Sequence, residues 1–298
     1  MKNIFIKEIQ SGDKIDSEFM IMKKIYRDGT KSVVIIGDRT GSLKVSIMNT
    51  TDELKVGDVI NIKTSQENIS DIKEYKKVVD FSMEDYLPTV ERPIEDIINE
   101  IDRMSDEEFK SRECVALNNY FFKNKEFVEK FKKGIGGVSQ HHNYIGGLAE
   151  HTLNVMYITR MLAYRYDSRN KEIAILAAKL HDIGKIEEYF VDGPFSFTLR
   201  GDMEGHIVIG VEMVEEAFKN NPELYSDDFK QRVKGCIVQH HGKLEYGSPK
   251  KPNTEEAHIV HFADQVDAFL NKITQIREGV EPNNWTDYDR RIDGKLYI

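Results

Sequence analysis

At the paired prolines Pro88 and Pro93 the character of the chain changes, and that change limits the fold more than any other feature. Before it lie short runs rich in β-branched and aromatic residues: EFMIMKKIYR (18–27), KSVVIIGD (31–38), SLKVSIMN (42–49), DVINIKT (58–64) and IKEYKKVVDF (72–81). Gly29, Gly41 and Gly57 mark turns between them. From Ile94 almost to the end the apolar spacing is helical. Five short strands in succession predict a small closed β-barrel, which leaves no sheet edge exposed. A chain of 298 residues is long enough for that barrel and a separate all-α domain. The expected boundaries are 1–82 for the barrel, 83–139 for a linker and connecting helices, 140–275 for the main helical domain and 276–298 for a C-terminal tail. Within the connecting region Ser105 reads as a helix cap, with Glu108 three residues on closing a capping box.

Charge divides the same way. Residues 1–80 hold 14 Lys and Arg against 13 Asp and Glu, and the remainder 28 against 38, so the acidity of the chain (net −9) resides in the helical part. Such a chain does not coat nucleic acid indiscriminately. Two cysteines, Cys114 and Cys236, make no disulfide framework and fit a reducing cytoplasm. The opening MKNIFIKEIQSGDK is too short in apolar residues for a signal peptide, and no apolar run reaches the length of a membrane span.

Chemistry gathers on the helices. In KEIAILAAKLHDIG, Ile173, Leu176, Ala177 and Leu180 form one buried stripe, Gly184 reads as the helix end, and His181-Asp182 fall in the last turn. His151 shares a face with Leu148, Val155, Ile158 and Leu162, and His206 with Ile209, Met213 and Ala217. His240-His241 follow Val233, Cys236 and Ile237, and Asp264 aligns with Ala257, His261 and Ala268. Imidazoles and carboxylates delivered to apolar faces need a partner, and a divalent cation serves several at once. This donor set suits Mn, Fe, Co, Ni or Zn, manganese foremost, and disfavours Ca or Mg cages. Gly-rich GIGGVSQ lacks the lysine and hydroxyl of a phosphate loop, and no nucleophile elbow is present.

His151, His181-Asp182 and Asp264 resemble the H…HD…D pattern of the HD superfamily of metal-dependent phosphohydrolases. GDRTGSLKVSIM and LKVGDVINIK in the front resemble OB-fold modules. The combination, an N-terminal OB-fold barrel followed by an all-α HD domain, resembles the bacterial YhaM-type 3′–5′ exoribonucleases along essentially the whole chain. The resemblance implies one or two metal ions: His151, His181 and Asp264 on one, His206 and His240 on the other, and Asp182 bridging. Adjacent helical residues diverge by about 100°, so which of His240 and His241 ligates stays open. The resemblance further implies that Lys185, three residues after Asp182, meets the scissile phosphate, and that single-stranded RNA is degraded to nucleoside 5′-monophosphates.

Substrate contacts are expected from His142, from Lys243, Tyr246 and Lys250 in the loop after the histidine pair, and from Tyr26 and Arg27 in the barrel. Lys23, Lys24, Arg39 and Lys44 are further barrel candidates, though a solvated strand face reads equally well. His141 pairs with His142 without an assigned role. His258 and His261 fit support of the ligands better than ligation. Single-stranded DNA as a second substrate and self-association stay open. So do two other readings: an HD-type hydrolase of nucleotides or cyclic dinucleotides, and a non-catalytic nucleic-acid-binding module.

Overall fold

The computed structural model describes residues 2–138 and 142–298, which form two units. The first comprises Met1–Thr89 with Phe190–Ser196, the second Val90–Tyr189 with Phe197–Ile298. Among the described residues no helix is long and apolar enough to cross a membrane.

The strands of the first unit are β1 (Lys14–Asp28), β2 (Lys31–Asp38), β3 (Gly41–Met48), β4 (Val59–Ser65), β5 (Asp71–Ile72) and β6 (Tyr75–Val78). They hydrogen-bond in the order β5-β3-β2-β1-β4-β6. The run read as one strand over 72–81 is thus two pieces. β5 pairs parallel with β3, and β6 pairs antiparallel with β4. Only two residues separate them, so the sheet curls, but β5 and β6 do not pair with each other, and in place of the closed barrel expected from the sequence the sheet forms a half-barrel with two edges. Two register shifts in β1, between Ile21 and Lys23 and between Lys24 and Tyr26, bend that long strand around the curl. Phe19, Ile21, Val34, Ile36, Ile47, Ile60 and Ile62 fill the interior. The linker read over 82–93 begins as part of this unit: Tyr86 is buried and its hydroxyl donates to Glu18 at 3.2 Å.

The second unit is helical: α1 (Ile94–Glu108), α2 (Arg112–Phe122), α3 (Lys125–Lys133), α4 (Gly147–Arg165), α5 (Lys171–Leu180), α6 (Lys185–Glu188), α7 (Leu199–Asn220), α8 (Asp227–Gln239) and α9 (Glu255–Arg277). A hairpin of β7 (Tyr189–Phe190) and β8 (Ser196–Phe197) separates α6 from α7. One continuous apolar core, including Leu148, Leu176, Val233 and Val260, joins α4, α5, α8 and α9.

Two helix ends differ from the sequence reading. Ser105 does not cap a helix: it lies inside α1, where its Oγ donates to the Ile101 carbonyl at 2.7 Å and accepts from buried Lys179 at 2.8 Å. The cap is Ser111, which accepts from the Cys114 N–H. The need of a buried ammonium for acceptors outweighs the local capping signal. Nor does Gly184 end α5. That helix stops at Leu180, and Gly184, with φ −61°, opens α6. Glycine is required there by contact, because a Cβ would lie 2.1 Å from the His206 carbonyl oxygen.

Candidate metal centre

His181 and His240 hold the same local position. Each follows the last residue of its helix, α5 or α8, and each Nδ1 donates at 2.7 Å to the carbonyl three residues back, Ala178 or Ile237. A helix end leaves such carbonyls without partners, so the imidazole satisfies one and is oriented by it. With Nδ1 carrying the proton, the lone pair of Nε2 faces inward. His151 and His206 are aimed the same way by carboxylates: Asp267 lies 2.6 Å from His151 Nδ1, and Glu188 lies 3.1 Å from His206 Nδ1. Tyr246 O fixes His241 Nδ1 at 2.9 Å. His261 supports from behind, its Nδ1 2.7 Å from the His240 carbonyl oxygen.

The inward atoms form two adjoining groups. In the first, His151 Nε2 lies 3.1 Å from His181 Nε2, 3.3 Å from Asp182 Oδ2 and 3.2 Å from Asp264 Oδ1. His181 Nε2 is 3.3 Å from the same Asp182 oxygen and 3.9 Å from Asp264. Ligands standing about 2.0–2.2 Å from one ion are themselves about 3–3.5 Å apart, so this spacing matches a coordination sphere. In the second group, the other Asp182 oxygen, Oδ1, faces His206 Nε2 at 3.5 Å and His240 Nε2 at 3.6 Å. All three of those atoms are buried without a hydrogen bond. Unpartnered buried atoms that converge fit a cation as their common partner. The donor set fits one or two divalent ions. His241 also brings a nitrogen within 4.8 Å of those of His206 and His240. The His240 and His241 ring centres lie 4.3 Å apart, so both rings reach this group.

Electrostatics agree with this division. Burial opposes the Asp182 carboxylate, but Lys185 and the imidazoles of His181 and His151 outweigh it and hold the pKa well below the usual range. Burial, with His241 and His181 nearby, drives His240 well below the ordinary imidazole value, so it stays neutral and able to ligate. His151 moves the other way: burial disfavours its charge, yet Asp182, Asp264 and Asp267 together raise its pKa well above normal. Three carboxylates around one imidazole are an excess of negative charge that a cation would balance.

Other expected residues are dispersed. Lys185 is buried with its Nζ 2.6 Å from Asp182 Oδ2. It begins α6, so it is not a cation answering the end of α5. A cleft of about 990 Å³ opens onto Asp182, Lys185, His241 and Asp264, and Tyr246 lines it too. Lys243 lies with its ammonium 4.9 Å from the Tyr246 ring centre. Lys250 is exposed and does not line that cleft. His142 corrects an expectation: it is buried, with Nε2 2.8 Å from Asp267 and Nδ1 2.8 Å from the Tyr144 hydroxyl, so it braces Asp267 behind His151 instead of facing substrate. His141 lies outside the described residues. In the barrel Tyr26 is exposed, whereas Arg27 donates to the Gly29 carbonyl in its own turn and to the Thr50 carbonyl after β3, beside Asp52. That arginine orders a loop while its side chain stays 39% exposed.

Asp267 and Glu188 were not singled out from the sequence. Their only signal was spacing: each lies three residues after a candidate, Asp264 or Lys185, and so one helical turn away.

Residues 148–268, which contain every candidate ligand, match the family model of the HD domain. The helical unit carries an HD domain. With its clustered ligands, that HD domain makes the chain a metal-dependent phosphohydrolase. The likeness extends beyond the HD domain. The 3′–5′ exoribonuclease YhaM of Bacillus subtilis is 27% identical over 305 residues, covering 96% of this chain and 94% of that one. YhaM of a Geobacillus species is 28% identical over 311 residues, with 98% and 94% covered. YhaM of Bacillus licheniformis is 26% identical over 317 residues, with 99% and 97% covered.

Proposed function

We propose that the chain is a YhaM-type 3′–5′ exoribonuclease that hydrolyses single-stranded RNA to nucleoside 5′-monophosphates. One observation carries the chemical part: an open cleft whose floor combines the convergent ligand atoms with the cationic Lys185. The strand polarity and the RNA substrate rest on the likeness to YhaM along nearly the full length of both chains.

In this reading His151, His181, Asp182 and Asp264 would hold one ion, and His206, His240 and His241, with Asp182 shared between the two groups, would hold the other. Manganese is the ion proposed, from a donor set that also accepts iron, cobalt, nickel or zinc. Bound there, the metal supplies Lewis acidity toward the phosphodiester and a water-derived nucleophile at neutral pH. The protein supplies the rest. Asp267 and Glu188 keep the protons of His151 and His206 on Nδ1, leaving Nε2 free to ligate. Lys185 Nζ donates to a phosphate oxygen as negative charge builds on it, a role Asp182 prepares by holding the ammonium in place. Tyr246 guides the strand near the centre, exposed Lys243 and Lys250 attract its backbone, and exposed Tyr26 gives the barrel a ring for a base. Cys114 and Cys236, both free and buried, support a cytoplasmic setting.

The deciding experiment is product analysis with Mn²⁺ on RNA labelled at either end, on single-stranded DNA and on cyclic dinucleotides. Release of nucleoside 5′-monophosphates from the 3′ end supports the proposal. Cleavage of the cyclic dinucleotide alone would replace it with the small-substrate reading.

A further inference from the structure

α9 carries more than Asp264. Phe262, Val266, Phe269 and Leu270 follow the i, i+4, i+7, i+8 spacing of one helix face, and all four are exposed, Phe262 by 54% and Phe269 by 48%. A core helix hides such a stripe. Here it lines the same cleft whose floor holds Asp182, Lys185 and Asp264. Charge along that cleft is divided. Among the described residues its only acidic lining side chains are the two candidate ligands, while Lys185, Lys272 and Arg291 provide cations. Arg291 is fixed by Asp289 and Gln275, at 2.8 Å and 2.9 Å. Lys272 has no ion pair within 4 Å among the described residues.

We propose that this face of α9 is a stacking wall for the unpaired bases at the 3′ end of the strand, with Lys272 contacting the backbone beside them. The inference rests on the reading of single-stranded RNA as substrate and assigns where its last nucleotides lie. A ligand there must be anionic, to meet Lys185 and Lys272, and must also present flat apolar surface to the rings. Unpaired nucleotides combine both. Phe262 and Phe269, two helical turns apart, stand about 10 Å from each other along the axis, room for successive bases on separate rings. Tyr246, across the cleft lining, offers a third ring. A duplex keeps its base faces stacked inside the helix, so this wall selects single strands without reading their sequence.

The test is fluorescence of a pentaribonucleotide bearing 2-aminopurine as its 3′-terminal base and an uncleavable last linkage, titrated with the full-length manganese-loaded protein. Stacking on the wild type quenches the probe. Phe269→Ala and Phe262→Ala should each weaken binding about tenfold and reduce the quench, and Phe269→Trp should preserve both. Lys272→Ala should weaken binding and lower the slope of log Kd against log salt by about one. Because these side chains are exposed, the variants should keep the wild-type melting temperature and metal content. Unchanged quench and affinity in the Phe262→Ala/Phe269→Ala double variant, with the wild type still degrading RNA, would overturn the stacking wall and leave the exoribonuclease reading intact. A double variant that keeps the quench but halves its mass in light scattering would also overturn it, making the face a contact between subunits. A wild type that ignores the oligonucleotide and cleaves cyclic dinucleotides would refute the functional reading itself, and the wall with it, before any variant is made.

Discussion

Both units bury polar groups, but they complete them differently. In the barrel, Lys2 Nζ lies 2.9 Å from Asp38 with both side chains shielded, and buried Asn49 donates to Ser32. In the helical unit Lys179 is fully buried and finds Ser105 Oγ and Asn118 Oδ1, at 2.8 Å and 2.7 Å. Yet Thr159, Ser168, Asp182, His206, His240 and Glu256 each keep a buried atom without a hydrogen bond, and among the described residues no barrel side chain does. Three of those six belong to separate places on or beside α4 and α9. The other three converge on one point. Isolated orphans are imperfections of packing, whereas converging ones mark a place whose partner is not protein.

If that contrast is sound, changing the convergent atoms should alter chemistry, and changing the barrel's partnered ones should alter stability alone. The largest effect is expected from Asp182→Ala. It removes the one residue common to both ligand groups, so metal content and turnover should fall together, turnover by more than about 10³-fold, beyond the loss ascribed to a single catalytic donor. Elemental analysis beside the RNA assay checks this, and full metal retention would contradict the bridging role. Next comes Lys185→Ala, which spares every candidate ligand. Turnover should drop by about 10²–10³-fold while metal content holds. An unchanged rate under saturating metal and RNA would reduce this lysine to a counter-charge for Asp182. Asp267→Asn keeps the volume but weakens the orientation of His151, so metal affinity should fall about 10–100-fold, read by titration with a competing chelator.

The smallest effect belongs to the barrel. Burial disfavours the charge of Asp38, but Lys2, Thr40 and the Ile6 N–H hold its pKa below the usual carboxylate value of 3.8. Burial also lowers the Lys2 ammonium despite Asp38, so the carboxylate, with more hydrogen bonds, is the favoured partner. A depressed folded-state pKa means stabilisation that is present above the unfolded value and lost as pH falls through the folded one. Asp38→Asn should therefore cost about 1–3 kcal/mol at pH 7, and the gap to wild type should close on acidification below pH 4. Thermal unfolding at the two pH values decides it, and RNA turnover at pH 7 below the melting range should not change.

The sequence made some of this legible and hid the rest for physical reasons. Strand runs and helical stripes were readable because burial imposes their periods, and the candidate ligands stood out because imidazole and carboxylate are rare on such stripes. Asp267 and Glu188 stayed hidden because an acidic residue on a helix is ordinarily solvated. Apart from their one-turn spacing from a candidate, nothing local reveals that these two turn inward. Ser105 misled because the acceptor need of Lys179, 74 residues away, is invisible in the local pattern. Likewise His142 read as a substrate contact because its partners, on α4 and α9, are distant in sequence.

Gly184 has a wider consequence. The turn that carries Asp182 and Lys185 rests main chain on main chain against α7, with no room for even a methyl group between it and the His206 carbonyl oxygen. The gauge of the centre, from the HD pair to His206, is therefore set by the polypeptide itself and not by the girth of core side chains. Repacking the surrounding core can raise or lower how well the unit survives heat without re-cutting that gauge. An engineer can thus harden this protein through its interior and leave its chemistry alone, provided that position 184 stays bare.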